Sequence, residues 1–266
     1  MMKLRIGEIH FTNLFPIFFA LRKGSDCSDY EFVQGVPAEL NHKIRLGAID
    51  ISPSSSIEYL RDPDKYVLIE NHSISSKGPV GSIILFSRLP LPELAGRTVF
   101  TSSQSETSVA LLHIVLKKFY GAECILKSSS ESIESVMAGA AAYLLIGDDA
   151  LIQSDKWPGL YRYDLGGIWH EHTGLPFTFA LWIMRKDCCD RKKRLVDRFV
   201  SDLEGSKKYA LSNLEAIARE SPMNRGMSAE KLVSYWRGIS YDFGEEHRKG
   251  FELFSRYCRE LGLLQT

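Results

Sequence analysis

The first third of the chain alternates short apolar runs with helical patterns, and this order restricts the fold more than any other feature. Apolar runs at residues 4–7, 32–35 and 48–52 predict strands. The clearest helix is predicted from Pro37 to Leu46, because proline opens it, Leu40 and Ile44 share one face, and Gly47 ends it. Strand, helix, strand, helix in this order indicates an α/β fold with ligand sites at the carboxyl ends of parallel strands.

The middle of the chain has a second α/β pattern of the same kind. Strands are predicted at residues 98–102, 123–127 and 143–146, and helices at 109–120, 130–138 and 147–152. From Arg191 onward only helical patterns remain, at residues 191–219, 228–236 and 245–261. We therefore expect two α/β units with a helical C-terminal segment, which we assign as a cap on the first unit.

Two apolar runs divide the chain into lobes. Ile83 to Phe86 follows a loop of Ser, Gly and Pro, and Phe177 to Arg185 follows Thr173 to Pro176. We interpret them as the outgoing and returning connections between two lobes, although two core strands of one sheet remain an alternative. The predicted bounds are residues 1–87 plus 180–266 for lobe 1 and 88–179 for lobe 2, with a ligand cleft between the lobes.

Composition excludes several classes of protein. The chain has 33 basic and 33 acidic residues, so its total charge favours neither nucleic acid nor an anionic membrane as partner. Its five cysteines form no C-x-x-C pair, which argues against a disulfide framework and a structural zinc site. No apolar run has the length of a signal peptide core or a membrane span, so a cytoplasmic location is expected. The basic cluster Arg191 to Arg194 is interpreted as a solvated helix face.

Several polar loops precede helices, and their residue types suit an anionic ligand. Free N–H groups and the positive end of the helix dipole favour anions there, although Ser and Thr are also ordinary helix caps. The candidates are Thr12 and Asn13; Ser54, Ser55 and Ser56; Ser103, Ser105 and Thr107; Gly147 and Asp148; and Gly81 and Ser82 in the loop before Ile83.

The common catalytic motifs are absent from the sequence. It contains no G-x-S-x-G elbow, no P-loop and no G-x-G-x-x-G. His170 and His172 are separated by one residue on a predicted helix and point apart, so they do not predict a metal site. His10 is either a general base or a half-buried imidazole with its hydrogen bonds satisfied. Trp169 and Trp182 are interpreted as packing residues.

Six motifs in order resemble the chorismate dehydratase family of the futalosine route to menaquinone. They are F-T-N-L-F-P, G-V-P-A-E-L-N, I-D-I-S-P-S-S-S-I-E-Y, S-I-S-S-K-G-P-V-G-S-I-I-L-F-S, L-I-G-D-D-A-L and T-G-L-P-F-T-F-A-L-W, and they cover about residues 4–186. The resemblance implies a two-lobed fold like that of type II periplasmic binding proteins. It also implies a carbon–oxygen lyase (hydro-lyase) that converts chorismate to 3-[(1-carboxyvinyl)oxy]benzoate and water without metal or organic cofactor.

The resemblance assigns roles to individual residues. Asn13 matches the family's functional asparagine, and Ser82 matches a serine at the substrate, so both are predicted as catalytic. Predicted substrate-binding residues are Thr12, Ser54, Ser55, Ser56, Gly81, Ser103, Ser105, Thr107, Gly147 and Asp148. His10 is a further candidate, and the enolpyruvyl carboxylate of the substrate is an alternative proton acceptor.

The chain departs from the family pattern ahead of Asn13. Members more often carry Tyr followed by Leu or Val there, whereas this chain has Phe11 and Thr12. This difference keeps the sister family, 1,4-dihydroxy-6-naphthoate synthase, as a second interpretation, although its S-P-C-P-N-D-like start is absent. A non-catalytic protein that binds small carboxylates is the alternative from another class. The sequence does not indicate the oligomeric state.

Overall fold

A computed structural model describes residues 3–264 of the chain. The chain divides into two compact units. The first contains the residues up to Ile74 together with Ala180–Phe243, and the second contains Ser75–Phe179 together with the residues from Gly244 onward. The ends of predicted lobe 1, at Met1, Met2, Gln265 and Thr266, lie outside the described residues.

The described residues form ten strands and twelve α-helices. The strands are β1 (Leu4–Ile9), β2 (Tyr30–Gly35), β3 (Ile51–Ser55), β4 (Tyr66–Ser76), β5 (Ile83–Ser87), β6 (Thr98–Ser102), β7 (Ile125–Ser129), β8 (Ala142–Ile146), β9 (Tyr161–Asp164) and β10 (Phe177–Arg185). The helices are α1 (Phe15–Gly24), α2 (Pro37–Arg45), α3 (Ser56–Arg61), α4 (Glu106–Ile114), α5 (Ile133–Met137), α6 (Gly147–Gln153), α7 (Leu165–Thr173), α8 (Lys186–Arg191), α9 (Lys193–Ser212), α10 (Leu214–Glu220), α11 (Ala229–Gly238) and α12 (Glu245–Glu260).

The sheet of the first unit has the order β2-β1-β3-β10-β4. Strand β1 pairs in parallel with β2 and β3, whereas β10 pairs antiparallel with β3. Helix α1 begins with Pro16 in its first turn, where the missing N–H costs no hydrogen bond. It buries Ile17, Phe18 and Leu21 on its inner face.

The sheet of the second unit has the order β7-β6-β8-β5-β9. Strand β6 pairs in parallel with β7 and β8, and β5 pairs antiparallel with β8 and β9. All five residues of β5 and of β8 are buried. Ile133, Val136 and Met137 of α5 join the same core as Phe86 and Tyr143. Both sheets are mixed, so the expectation of parallel pairing holds for only part of each.

The predicted lobe boundary after Ser87 is wrong because of strand pairing. Ile83–Ser87 was assigned to lobe 1, but it is a strand of the second sheet between β8 and β9. The chain instead passes from the first unit to the second within β4, since the division falls after Ile74, and it returns within β10 before Ala180. Ser75 and Ser76 are therefore strand residues rather than loop residues.

The helical segment divides between the units, which corrects its assignment as a cap on the first unit alone. Helices α8 to α11 belong to the first unit, and α12 belongs to the second. In α12 the ring of Phe254 lies 5.0 Å from that of Phe177 and 6.4 Å from that of Trp169. The long helix predicted from Arg191 is three helices, because Lys192 and Asn213 leave the helical conformation.

Candidate functional site

The predicted ligand residues of the first unit lie at one edge of its sheet. Strands β1 and β3 are parallel with Ile6 opposite Ile51, so their carboxyl ends meet at the same edge. After β1 come His10, Thr12 and Asn13, and at the end of β3 come Ser54, Ser55 and Ser56. The sequence placed β3 three residues too early, so Ser54 and Ser55 belong to the strand itself rather than to a loop.

Two polar atoms at this edge are buried without a hydrogen-bond partner among the described residues. They are Asn13 Oδ1 and Ser54 Oγ. Leaving a buried polar group unpaired costs about 1–3 kcal/mol, and each such group in a folded protein calls for an explanation, a bound molecule or a catalytic role among them. The side chain of Ser54 is fully buried on β3. Both atoms therefore suit hydrogen bonding to a bound polar molecule.

The other two serines of this edge are held in place by neighbouring structure. Ser55 donates its backbone N–H to Asn41 Oδ1 at 3.2 Å, and both residues are buried. Ser56 is the first residue of α3 and is fully buried. Asn41 on α2 thus fixes the strand end that carries the serines, a contact that the sequence reading missed.

His10 is exposed, which contradicts the interpretation of a half-buried imidazole. It follows the last residue of β1 and lines a cavity of about 560 Å³ within the first unit. Phe15, Phe18 and Phe19 also line this cavity, and Arg22 at its rim bonds the buried Glu8 at 2.5 Å. Its aromatic walls suit a flat ligand, but neither Asn13 nor the serines of β3 line it.

The predicted residues of the second unit also gather at one edge of their sheet. Because β5 is antiparallel to β8, the residue before Ile83 lies beside the residue after Ile146. Gly147 accordingly donates its N–H to the carbonyl of Ser82 at 2.7 Å. Ser82 and Gly147 are buried, and Asp148 in the first turn of α6 is partly buried.

The loop after β6 reaches the same edge, because β6 is parallel to β8. Ser105 is the N-cap of α4 and accepts the N–H of Ser108 at 3.3 Å, so its side chain already has the capping role that was the alternative interpretation. Thr107 is buried in the first turn, whereas Ser103 is exposed. The three residues therefore differ in how accessible they are to a ligand.

Asp164 anchors the loop that carries Ser82, and sequence reasoning missed it. Its carboxylate accepts the N–H of Gly81 at 2.6 Å and those of Val80 and Gly167 at 3.0 Å. Burial raises the pKa of Asp164, and these backbone N–H groups oppose that rise. Gly81 has φ of 75°, which favours glycine. The one available signal was an aspartate three residues before Gly167, which fits an N-cap of α7.

The predictions about a metal site, a membrane span and the two tryptophans can each be compared with the structure. His172 stacks on Phe119, with ring centroids 4.5 Å apart. Within residues 3–264 no group of three or more His, Cys, Asp or Glu side chains is arranged to hold a metal ion. None of the helices in the same range is both long and apolar enough to cross a bilayer. Trp169 and Trp182 are buried and pack against other rings, as predicted.

The basic cluster at residues 191–194 is largely paired with carboxylates. Arg191 bonds Asp187 at 2.6 Å and Lys193 bonds Asp197 at 3.0 Å. Lys192 differs from the predicted solvated face, because its side chain is only 9% exposed and bonds the buried Asp50 at 2.6 Å. These pairs leave little free positive charge for a nucleic acid.

Solved structures with similar folds are binding proteins and a protein of unstated activity. Protein AF1704 from Archaeoglobus fulgidus superposes with a TM-score of 0.81 at 19% identity, covering 98% of each chain. The alkanesulfonate-binding protein SsuA from Xanthomonas axonopodis superposes with a TM-score of 0.73 at 14% identity, covering 100% of this chain and 95% of that one. The predicted α/β fold of the periplasmic-binding-protein type, with a helical C-terminal segment, is confirmed.

Sequence relatives cover nearly the whole chain. Chorismate dehydratase from Thermus thermophilus is 28% identical, covering 94% of this chain and 93% of the relative. Chorismate dehydratase from Campylobacter jejuni is also 28% identical, covering 97% and 98%. The 1,4-dihydroxy-6-naphtoate synthase of T. thermophilus is a weaker match at 25%, covering 91% and 89%. A family model described as menaquinone biosynthesis matches residues 4–260, and the chain belongs to this menaquinone biosynthesis family.

Proposed function

We propose that the protein is a chorismate dehydratase, a carbon–oxygen lyase that converts chorismate to 3-[(1-carboxyvinyl)oxy]benzoate and water in the futalosine route. The observation that supports this most is the similarity to two chorismate dehydratases over 94% and 97% of the chain. The dihydroxynaphthoate synthase is the weaker match. The unpaired Asn13 Oδ1 and Ser54 Oγ add support, because a polar substrate would satisfy them.

The reaction requires the enzyme mainly to position the substrate and to polarise the bond to the leaving hydroxyl. A hydroxyl leaves one ring carbon and a proton leaves the adjacent carbon that carries the enolpyruvyl ether, so water is lost and the ring becomes aromatic. Aromatisation supplies the driving force. The hydroxyl leaves more readily when a hydrogen-bond donor stabilises the developing negative charge.

The candidate residues are suited to that task. The Asn13 amide has an NH₂ group that would donate to the leaving hydroxyl or a substrate carboxylate, while its unpaired Oδ1 would accept. The backbone of Ser82 is held by its carbonyl contact to Gly147 and by the neighbouring Asp164 anchor, which fixes the position from which its hydroxyl would donate. Donors that are already in place need no reorganisation during the reaction.

Four further points about the proposed enzyme are predictions. These are the site between the lobes, the absence of a metal or cofactor, the cytoplasmic location and the absence of a nucleic-acid partner. The roles of Asn13 and Ser82 belong to the proposal itself. The proton acceptor is either His10 or the enolpyruvyl carboxylate of the substrate.

Turnover of chorismate by the purified protein tests the proposal. The aromatic product is separated by chromatography and its rate of formation is measured. We expect Asn13→Ala and Ser82→Ala each to lower kcat by about 10²–10³-fold, the usual loss when a donor to developing negative charge is removed. Ser87→Ala is the matched control, since Ser87 lies at the opposite end of β5 and bonds the carbonyl of Leu89.

The outcomes separate the competing functions. Full turnover by Asn13→Ala or Ser82→Ala would show that the residue assignment is wrong while leaving the activity standing. Binding of chorismate without any product would favour a non-catalytic carboxylate-binding protein. If chorismate neither binds nor reacts, it is not the substrate, and the dihydroxynaphthoate synthase reaction becomes the favoured alternative.

A further inference from the structure

The turn that carries Asn13 is fixed by two side chains from the far end of the chain. Trp236 Nε1 donates to the carbonyl of Thr12 at 2.8 Å, and the Tyr241 hydroxyl donates to the carbonyl of Asn13 at 2.7 Å. The short 3₁₀ turn Thr12–Leu14 is closed by two backbone hydrogen bonds, in which Leu14 donates to the carbonyl of Phe11 and Phe15 donates to the carbonyl of Thr12. The carbonyl of Thr12 thus accepts from both Phe15 and Trp236, whereas the carbonyl of Asn13 accepts from the distant Tyr241.

The direction of the Asn13 side chain depends strongly on its backbone. Asn13 Oδ1 has no hydrogen-bond partner among the described residues, so no contact to that oxygen orients the amide. Where a side chain lacks such a contact, the backbone conformation restricts the rotamers that it can adopt and so limits the directions in which it points. A shift of the turn would therefore move the amide by a comparable distance.

The two donors themselves are rigidly held within the first unit. Trp236 is fully buried and stacks on Phe15 at 6.3 Å with an interplanar angle of 16°. Tyr241 is 4% exposed, and its carbonyl accepts the N–H of Ser73 on β4 at 3.1 Å. Burial raises the pKa of Tyr241 far above its ordinary value, so the hydroxyl keeps its proton and remains a donor.

We propose that Tyr241 is a positioning residue for the reaction, acting through its hydrogen bond to the carbonyl of Asn13, with Trp236 supporting the same turn. The proposal rests on the proposed function, because it assumes that Asn13 acts on the substrate. The segment after α11 would thus contribute to catalysis, although its sequence contains no recognisable motif.

The test compares Tyr241→Phe with a matched loss of a buried hydroxyl elsewhere. Tyr30→Phe is the control, since Tyr30 is also 4% exposed but its hydroxyl bonds Asp202 on α9 at 2.6 Å. Removing one buried hydrogen bond should lower kcat of Tyr241→Phe about tenfold with little change in KM. Tyr30→Phe should lower the melting temperature without this loss of kcat.

A double-mutant cycle shows whether the effect passes through Asn13. In the Asn13→Ala background, Tyr241→Phe should no longer lower the rate of product formation, because the side chain that it positions is gone. Equal losses in both backgrounds would overturn the proposal, as would a Tyr241→Phe enzyme with unchanged kcat.

Hydrogen exchange of the backbone keeps this inference separate from the proposed function. Amides of residues 11–15 should exchange faster in Tyr241→Phe than in the wild type and in Tyr30→Phe, whether or not chorismate is the substrate. Unchanged exchange would overturn the positioning role. Faster exchange in a protein that does not turn over chorismate would overturn only the proposed function.

Discussion

His72 makes the stability of the first unit depend on pH. It lies on β4 with 4% of its surface exposed, and its Nε2 is 3.1 Å from Glu204 Oε2. The ammonium of Lys207 bonds the same carboxyl of Glu204 at 3.4 Å and Asp242 at 3.0 Å. The buried imidazole therefore lies in a cluster with one buried cation, Lys207, and two carboxylates that reach solvent.

Burial, followed by the positive charge of Lys207, lowers the pKa of His72 from 6.5 to about 4, although Glu204 and Asp242 act in the opposite direction. The unfolded chain then binds the proton more tightly than the folded chain. The stability due to neutral His72 is complete above pH 6.5 and is lost as the pH falls towards 4. Each unit of pKa difference corresponds to about 1.36 kcal/mol, so the loss is about 3 kcal/mol.

His72→Gln is the informative substitution, because glutamine does not titrate and its amide can donate to Glu204 as neutral Nε2–H does. Melting temperatures of wild type and variant are measured from pH 7.5 to pH 4 at one ionic strength. We expect the wild type to lose several degrees more than the variant over this range. The other groups of the cluster, Glu204, Lys207 and Asp242, are common to both proteins.

Parallel melting curves for the two proteins across this range would refute the reasoning. They would mean that His72 titrates with nearly the same pKa in both states. A greater loss in the variant would reverse the sign and indicate that Glu204 holds His72 as a cation. Because the chain has two units, only the transition of the first unit should respond.

Two further predictions concern the proton acceptor and the packing of α12. If His10 accepts the proton, His10→Gln should lower kcat by about 10²–10⁴-fold, whereas unchanged kcat would assign the role to the enolpyruvyl carboxylate of the substrate. Gly250→Ala should destabilise the second unit by about 1–3 kcal/mol in urea unfolding, since a Cβ there would lie close against the Pro176 carbonyl. Gly205→Ala is its control, because Gly205 lies within α9 with open space around it, and alanine there should stabilise by up to about 1 kcal/mol; equal effects at the two glycines would contradict the packing argument.

The local sequence determined where most helices and strands form. Pro37, the apolar pair Leu40 and Ile44, and the glycine after them specify α2 because each acts within a single turn of helix. The sequence did not predict β4, because the polar residues Glu70 to Ser73 interrupt its apolar pattern. In the structure β4 is a full strand that pairs with β10. Signals of this kind describe single segments and do not say which segments pair.

For the candidate residues too, the sequence identified the local motifs but not the contacts between distant segments. The motifs identified Asn13, Ser82 and the serines of β3, and their order after strands predicted that those of one sheet share an edge. Sequence could not distinguish Ser105, which caps a helix, from Ser54, whose hydroxyl is buried and unpaired, since both are serines before or at a helix start. That difference depends on which atoms of other segments come near.

The sequence by itself thus determined the α/β class, the family and the residues to test. Only the tertiary structure decided that β5 lies in the second sheet, that α12 packs on Trp169, and that Tyr241 reaches the carbonyl of Asn13. The physical reason is range: turn and helix preferences act over a few residues, whereas a hydrogen bond between residues 13 and 241 exists only after the whole unit has packed.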